Sequence, residues 1–212
     1  MSEVSAQQVR DLRDKTGAGF MDCKVALRES GGDFEGAVRY LRERGLAAAA
    51  KKAGRATAEG AIGSYIHAGG KIGVLIEVDC ETDFVARTED FQRLVRDLAM
   101  QVAAARPLYV GRDEIPAAEL AREREIYAVQ AAQTGKPAQV IAKMVEGKIE
   151  KYVQEVCLLD QDYIKEPGKA VRQIVAEAIG KLGENITVRR FARFQLGEGV
   201  ESSRGDDGNA QV

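Results

Sequence analysis

The side chains with the most familiar catalytic chemistry in this chain are three cysteines and a single histidine. A thiol and an imidazole can act on a carbonyl group when the two side chains meet and a third group orients the ring. His67 stands beside a predicted hairpin turn, and Cys80 follows it along the chain, but no spacing supplies a third group. Cys23, Cys80 and Cys157 are more typical of small buried apolar residues. We therefore expect a protein that is not an enzyme. A thiol enzyme that uses Cys80 and His67 is the last of three functional hypotheses.

Metal and phosphate sites are the other chemistries to consider. Zinc needs three or four ligands clustered within a few residues, and the cysteines and His67 are too scattered for that. The residues Gly69, Gly70 and Lys71 resemble a phosphate-binding loop only superficially, because the earlier glycine, the Ser or Thr after the lysine and the following helix are missing. They are typical of a hairpin turn instead. We expect no metal, no cofactor and no directly bound nucleotide.

Length and charge restrict the class of protein. A chain of 212 residues can hold one sizeable domain or a small domain and a medium one. A formal net charge of -2 argues against a general nucleic-acid binder, which normally has a strongly basic face. There is no run of eighteen apolar residues, and residues 1–10 lack the apolar core of a signal peptide. The odd number of cysteines fits a reducing compartment, so we expect a cytoplasmic protein without membrane binding.

The first 45 residues predict a bundle of three short helices. Ser5 and Gln8 have the spacing of a capping box, and a Gly-rich turn at residues 16–19 ends the first helix. The second helix covers about residues 20–29, and the third begins after Asp33 and is expected to end at Gly45. One apolar face recurs at helical spacing through Ala6, Val9, Leu12, Cys23, Ala26, Leu27, Phe34, Ala37, Val38 and Leu41. Residues 46–60, rich in Ala, Lys and Gly, predict a short helix running into a linker.

Residues 61–196 predict an α+β domain, a small antiparallel sheet packed with helices. Residues 62–67 and a strand with Ile72, Val74, Ile76 and Val78 on one face are expected to form a hairpin. An amphipathic helix follows at about residues 91–102, then a possible short strand at 108–110 and helices at about 117–133 and 138–156. A last helix is expected to end at Gly183, and a strand at 185–196 to carry Ile186, Val188, Ala192 and Phe194 on one face. Residues 197–212 predict a disordered tail.

Two segments place large apolar side chains outside the periodic patterns that predict the core. Phe84 lies in a charged stretch, between a strand and the first turn of a helix. It could tuck under its own helix, or it could be an exposed wedge, since interface hot spots favour aromatic side chains ringed by polar residues. Phe20 and Met21 follow a glycine turn directly, so they cannot both face the same core and at least one should be exposed. Both segments indicate a surface that binds a partner.

Two long motifs carry a resemblance to a known family. Residues 12–24 (LRDKTGAGFMDCK) look like the N-terminal signature of the translation elongation factor Ts family. Residues 77–87 (EVDCETDFVAR) resemble the second signature of that family. Further likeness runs through residues 135–137, 144–147, 182–185 and 189–191, so that the resemblance covers nearly everything from Val4 to Gly199. Two motifs in the right order, with matching stretches between them, make the resemblance specific.

The resemblance implies a guanine-nucleotide exchange factor for elongation factor Tu. In that family the aspartate and phenylalanine of the second signature push against the partner's nucleotide-binding domain, disturb its magnesium and phosphate sites, and release GDP so that GTP can reload. The matching residues here are Asp83 and Phe84, flanked in the same signature by Thr82 and Val85. An exchange factor needs no catalytic group, only a surface that binds the nucleotide-free partner better than the GDP-bound one.

Further contacts with the partner's G domain are implied for residues outside the second signature. Arg13 and Met21 match contact positions in the first signature, with Phe20 beside them in place of the more usual methionine. Other implied contacts are the pair Leu182 and Gly183, at the end of the last helix, and His67, which matches a histidine near a hairpin turn.

The resemblance also implies self-association. Longer members of the family carry two core repeats, whereas this chain shows one β-hairpin and one Asp-Phe signature. In short members a homodimer resembles the two-repeat core, so we expect a homodimer with the partner bound by both copies. Some short members have a cysteine in the last strand where this chain has Ala192, so the dimer would be non-covalent there. The runner-up function is an adaptor, because the three-helix bundle resembles ubiquitin-associated domains that bind other proteins.

Overall fold

The structure is a computed structural model that describes residues 4–199. Most of the predicted disordered tail therefore lies outside the described residues. Within residues 4–199 the helices and strands follow in this order: α1 (Ala6–Thr16), α2 (Phe20–Glu29), α3 (Phe34–Lys52), β1 (Glu59–Ile66), β2 (Ile72–Cys80), α4 (Asp83–Ala86), α5 (Glu89–Ala105), α6 (Ala117–Ala132), α7 (Ala138–Val156), α8 (Val171–Leu182) and β3 (Ile186–Gln195). Short 3₁₀ turns lie at Arg112–Glu114 and Leu158–Asp160. The predicted α+β class is confirmed.

The N-terminal helices pack around their own small core. The predicted capping box is present, since the backbone N–H of Gln8 donates to Oγ of Ser5 and the Ser5 N–H donates to Oε1 of Gln8. Gly17 ends α1 in the left-handed region at φ 66°, which costs a glycine little. Asp33 caps α3 by accepting from two backbone N–H groups. The buried residues of the bundle are Val9, Leu12, Cys23, Ala26, Leu27 and Ala37.

The predicted end of α3 at Gly45 is wrong, because the helix continues to Lys52. A glycine inside a helix costs about 1 kcal/mol relative to alanine, so packing must compensate. Beyond Gly45 the helix places Leu46 against the main core and buries Ala49 in it. Gly45 itself lies where α3 crosses α8, and a Cβ at residue 180 would lie 3.1 Å from its Cα. Two glycines thus let the helices approach closely and join the bundle to the α+β part.

The three strands form an antiparallel sheet in the order β1-β2-β3. Its inner face packs on α5 and α8. Of the predicted row, Val74, Ile76 and Val78 are buried there and Ile72 is partly buried. The predicted apolar stripe of α5 is also buried: Phe91, Leu94, Val95, Leu98, Ala99 and Val102. The possible strand at 108–110 is reduced to one isolated bridge, between Tyr109 and Cys157.

The prediction that Ile186, Val188, Ala192 and Phe194 share one face of β3 is wrong for the last two residues. Val188 pairs with Val78 but Arg190 pairs with Glu77, so an extra residue bulges between them. A bulge shifts the alternation of side chains by one residue. Ile186 and Val188 are therefore buried, whereas Ala192 and Phe194 face outward on the opposite side of the sheet.

Helices α6 and α7 form an antiparallel hairpin that packs mainly on itself. Its base is fixed by Glu119, whose carboxylate accepts hydrogen bonds from the hydroxyls of Tyr152 and Tyr109, the latter at 2.7 Å. These two donors lower the pKa of Glu119 below its ordinary value. A lowered pKa means that the charged form of the carboxyl group is favoured. Glu119 is therefore a carboxylate at neutral pH and accepts both hydrogen bonds.

We predict that Gly180→Leu destabilises the protein by about 1–3 kcal/mol, the usual effect of overpacking. A Cβ at this position already lies 3.1 Å from Cα of Gly45, so α3 must move away. Gly147→Leu in α7 is the matched control, because a Cβ there meets nothing within 4 Å. Since leucine is a better helix former than glycine, the control should keep or raise stability. Urea unfolding measures both variants, and equal midpoints would contradict the close crossing.

Candidate partner-binding surface

Phe84 is fully displayed on the one-turn helix α4. Its side chain is 82% exposed, so the alternative in which it tucks under its own helix is wrong. The turn forms because the hydroxyl of Thr82 accepts a hydrogen bond from the backbone N–H of Val85 at 3.4 Å, the usual role of an N-cap threonine. Ala86 is buried and Val85 packs against the main core. With the other side of the turn anchored inward, Phe84 must point to solvent.

Asp83 stands next to Phe84 and is held only loosely. Its Oδ2 lies 2.8 Å from a guanidinium nitrogen of Arg87, one turn later. Exposed ion pairs of this kind contribute about 0–1 kcal/mol because water competes for both charges. The carboxylate can therefore exchange Arg87 for a group on another protein at little cost.

The loop before α4 is tied to the loop after α8. The carboxylate of Glu184 accepts from the backbone N–H groups of Glu81 and Thr82, at 3.1 and 3.0 Å, and from the Thr82 hydroxyl at 2.6 Å. In return, Oε1 of Glu81 accepts from the backbone N–H of Asn185 at 2.6 Å. The predicted left-handed Gly183, at φ 80°, turns the chain so that Glu184 faces these donors. We call this arrangement of Glu81, Thr82, Glu184 and Asn185 the loop clamp.

The first signature also displays apolar side chains. Phe20 is 44% exposed and Met21 is 65% exposed at the start of α2, so both side chains are available and not just one. Arg13 is exposed in the last turn of α1.

Lys181 brings these regions together at one end of the molecule. A Cβ at residue 17 would lie 3.0 Å from its Nζ, so the glycine turn before Phe20 rests on the end of α8. The same Nζ lies 2.9 Å from Asp90, in the first turn of α5 and just beyond α4. Residues 182–183 follow Lys181 directly, and Glu184 binds the base of α4. The two signatures and the end of α8 therefore form one continuous surface.

His67 lies apart from that surface. It follows β1 and pairs with Ile72 at the start of β2, whereas Phe84 follows the other end of β2. Eight residue steps along a strand span about 26 Å, at roughly 3.3 Å per residue. The Nδ1 atom of His67 is 3.0 Å from the hydroxyl of Tyr65. Whether His67 contacts a partner stays a prediction.

The thiol-enzyme alternative is excluded by the same geometry. Cys80 pairs with Glu59 at the end of the hairpin opposite to His67, so the two side chains cannot meet. Cys80 is buried and its Sγ donates to the carbonyl of Thr82 at 3.2 Å. Burial is the main cause that raises the pKa of the Cys23 and Cys80 thiols and raises the pKa of Cys157 to about 11. All three are protonated at neutral pH and act as core residues.

Metal sites and membrane-spanning helices were the other features to look for in the described part of the chain. Among residues 4–199, no three His, Cys, Asp or Glu side chains are grouped so that they could hold a metal ion. In the same range, no helix has the length and apolarity needed to cross a membrane.

Sequence reasoning assigned no role to Glu81, Lys181, Glu184 or Asn185. Glu184 and Asn185 lie in the stretch 182–185 that resembles the family. The only local indication of a role is their position just after a glycine that ends a helix. Their partners are 102 to 130 residues away along the chain, so no spacing rule could pair them.

Comparison with known proteins gives one consistent family. The family model described as Elongation factor TS matches residues 48–198. The chain is 60% identical over 203 residues to Elongation factor Ts of Geobacter sulfurreducens, covering 96% of this chain and 94% of that protein. It is 57% identical to Elongation factor Ts of Desulforamulus reducens over 212 residues, 100% of this chain and 97% of that protein. The protein of the same name from Heliobacterium modesticaldum is 57% identical over 209 residues, 99% and 97% of the two chains.

We predict that the three thiols of the folded protein react very slowly with Ellman's reagent at neutral pH. The reagent reacts with thiolates, and burial raises the pKa of each thiol, so little thiolate exists until the pH rises toward the raised pKa. In denaturant the same sample should react at all three cysteines, which is the control. Fast stoichiometric labelling of the native protein would show that a cysteine is accessible and contradict the buried assignment.

Proposed function

Since this chain belongs to the elongation factor Ts family, the nucleotide exchange factors of elongation factor Tu in translation elongation, we propose that Phe84 and Asp83 are the groups that drive GDP from the partner. The chain is an exchange factor and not an enzyme. The observation that supports the proposal is the exposed Phe84 on a turn whose Val85 and Ala86 are anchored inward. The place of action is the cytoplasm, where elongation takes place.

The physical requirement for exchange is a difference in affinity. A protein lowers the affinity of its partner for GDP only if it binds the nucleotide-free state better, and GDP then lowers the affinity for that protein by the same factor. In our proposal Phe84 inserts into the partner's nucleotide-binding domain, and Asp83 leaves Arg87 for a polar group there. The insertion displaces the magnesium and phosphate site, so these contacts are complete only after GDP has gone.

A rigid support makes such a wedge effective. Ordering a mobile side chain or loop on binding costs free energy that would otherwise favour the complex. Thr82 and Val85 belong to the same signature, but their side chains are engaged with the chain itself. We therefore assign to them the support of Phe84 from behind, with little direct contact.

The remaining residues of the surface widen the contact with the G domain. Phe20 and Met21 offer exposed apolar side chains, and Arg13 adds a positive charge nearby. Leu182 and Gly183 lie between the first signature and the loop clamp. Aromatic residues, methionine and arginine are enriched in protein interfaces, which fits this composition.

Self-association is proposed through the outer face of the sheet. The exposed apolar side chains there are Ile62, Ile66, Leu75, Ala192 and Phe194. The strand register places them side by side, since Leu75 pairs with Ala192, and Gly73 lies between Ile66 and Phe194. An apolar patch of this kind marks an interface, and the same patch on a second copy can cover it by two-fold symmetry. No cysteine lies on this patch, so the dimer is non-covalent there.

His67 belongs to a different contact region in the proposal. It is too far from Phe84 to contact the same part of the partner, so we assign it to a second contact region of elongation factor Tu.

The adaptor alternative is set aside, because the family match covers residues 48–198 and therefore most of the chain outside the N-terminal bundle.

We predict that Phe84→Ala lowers the rate of GDP release from elongation factor Tu by roughly thirtyfold. Hot-spot aromatics contribute about 2 kcal/mol or more, and 1.4 kcal/mol corresponds to a factor of ten. Release is measured with a fluorescent GDP on the partner. Val129→Ala, which trims another exposed apolar side chain, on α6, is the matched control and should release GDP at the wild-type rate. A Phe84→Ala variant as fast as the wild type would overturn the wedge.

We predict that Phe194→Glu or Leu75→Glu produces a monomer in sedimentation velocity, whereas the unmodified chain sediments as a dimer. Burying an unpaired carboxylate in an apolar interface is strongly unfavourable, and both positions are exposed in the single chain, so folding is spared. Val129→Glu is the control, since it adds the same charge on α6, away from the sheet. Unmodified protein that is monomeric at micromolar concentration would contradict the proposed dimer.

A further inference from the structure

The loop clamp behind α4 is built around one carboxylate. Both oxygens of Glu184 are used: Oε2 accepts from the backbone N–H groups of Glu81 and Thr82, and Oε1 accepts from the Thr82 hydroxyl. The same Thr82 hydroxyl then accepts from the N–H of Val85 inside α4. A continuous series of hydrogen bonds thus runs from the end of α8 to the turn that carries Phe84.

We propose that Glu184 is a positioning residue for nucleotide exchange, which acts on the partner through Phe84 and not by direct contact. This proposal rests on the proposed function of Phe84. A helix of four residues has too few internal hydrogen bonds to be stable alone, so its conformation depends on what holds its first turn. Val85 and Ala86 hold its inner side by packing, and the Thr82 cap holds its first turn through hydrogen bonds that lead back to Glu184.

The position of Glu184 is itself fixed from two sides. Gly183 precedes it in the left-handed conformation, and buried Asn185 follows it. The N–H of Asn185 donates to Glu81, and its Nδ2 donates to the carbonyl of Arg55 at 2.9 Å. A guanidinium nitrogen of Arg55 also lies 3.4 Å from Oε1 of Glu81, which adds a positive charge beside that carboxylate. The carboxylate therefore binds the base of α4 from a rigid loop between α8 and β3.

The consequence for exchange is mechanical. Phe84 can displace part of the partner only if α4 keeps its conformation, and the loop clamp connects α4 to α8 and β3. Without the clamp the turn can unwind, so part of the contact free energy is spent on ordering it again. We expect the maximal rate of GDP release to fall more than the affinity of the complex, because the other contacts stay in place.

The experiment compares Glu184→Ala and Glu184→Gln with and without Phe84→Ala. Glu184→Ala should lower the maximal release rate about tenfold, the loss expected when hydrogen bonds to a charged group are removed. Glu184→Gln keeps an oxygen that can accept from the two N–H groups but loses the second acceptor, so its defect should be smaller. In the Phe84→Ala background, Glu184→Ala should slow release by less than twofold more, because the two residues act as a unit.

A matched control and a second readout separate positioning from a general effect. Glu89→Gln removes a carboxylate from the first turn of α5, close to Phe84 along the chain but outside the loop clamp, and should exchange like the wild type. Hydrogen exchange of the free protein should lose protection at residues 81–88 in Glu184→Ala, with the sheet unchanged. Loss of protection throughout the chain would show a structural role only and overturn the proposal.

The outcomes distinguish this proposal from the function on which it rests. Normal release by Phe84→Ala would remove the proposed wedge and this inference with it. Slow release by Phe84→Ala together with normal release by Glu184→Ala would overturn the positioning role alone. Equal defects of Glu184→Ala with and without Phe84 would show that Glu184 acts independently of the wedge, which also overturns it.

Discussion

The apolar layer between the inner face of the sheet and the helices α5 and α8 supports every other feature of the α+β part. Strand β2 runs through its centre and contributes Val74, Ile76 and Val78, while α5 contributes a continuous buried stripe. Each fully buried side chain of this size stabilises the fold by about 1.5–3 kcal/mol. Because β2, α8 and β3 all belong to this layer, the loops at their ends are held at fixed distances from one another. The displayed surface is made from those loops.

An exposed aromatic residue on a single turn of helix is stable in position only if something else holds the turn. Here the inward side chains of Val85 and Ala86 and the hydrogen bonds of Thr82 supply that hold. The exposed ion pair of Asp83 and Arg87 contributes little, and this leaves the aspartate free for a partner. A turn that is firmly anchored on its inner side and makes only a weak ion pair on its outer side suits a protein that acts by binding a partner.

The molecule uses different parts of its surface for different contacts. The two signatures and the end of α8 meet at one end, where Lys181 joins the N-terminal turn to α5. The outer face of the sheet, with Leu75 and Phe194, is a separate surface, so the proposed dimer would leave Phe84 exposed on each copy. The close crossing of α3 and α8 at Gly45 and Gly180 fixes the bundle relative to the rest and completes the first of these surfaces.

The sequence by itself determined the elements with strong local patterns, the caps at Ser5 and Gly183, the family and the two signatures. These features depend on residues close together in the chain, where spacing decides which side chains share a face. Only the tertiary structure decided that α3 continues past Gly45, that a bulge turns Ala192 and Phe194 outward, and that Glu184 supports the turn of Phe84. Each of these depends on a partner far away in the sequence. A glycine ends or continues a helix according to what packs beside it, and a carboxylate finds donors about a hundred residues distant only after folding brings the loops together.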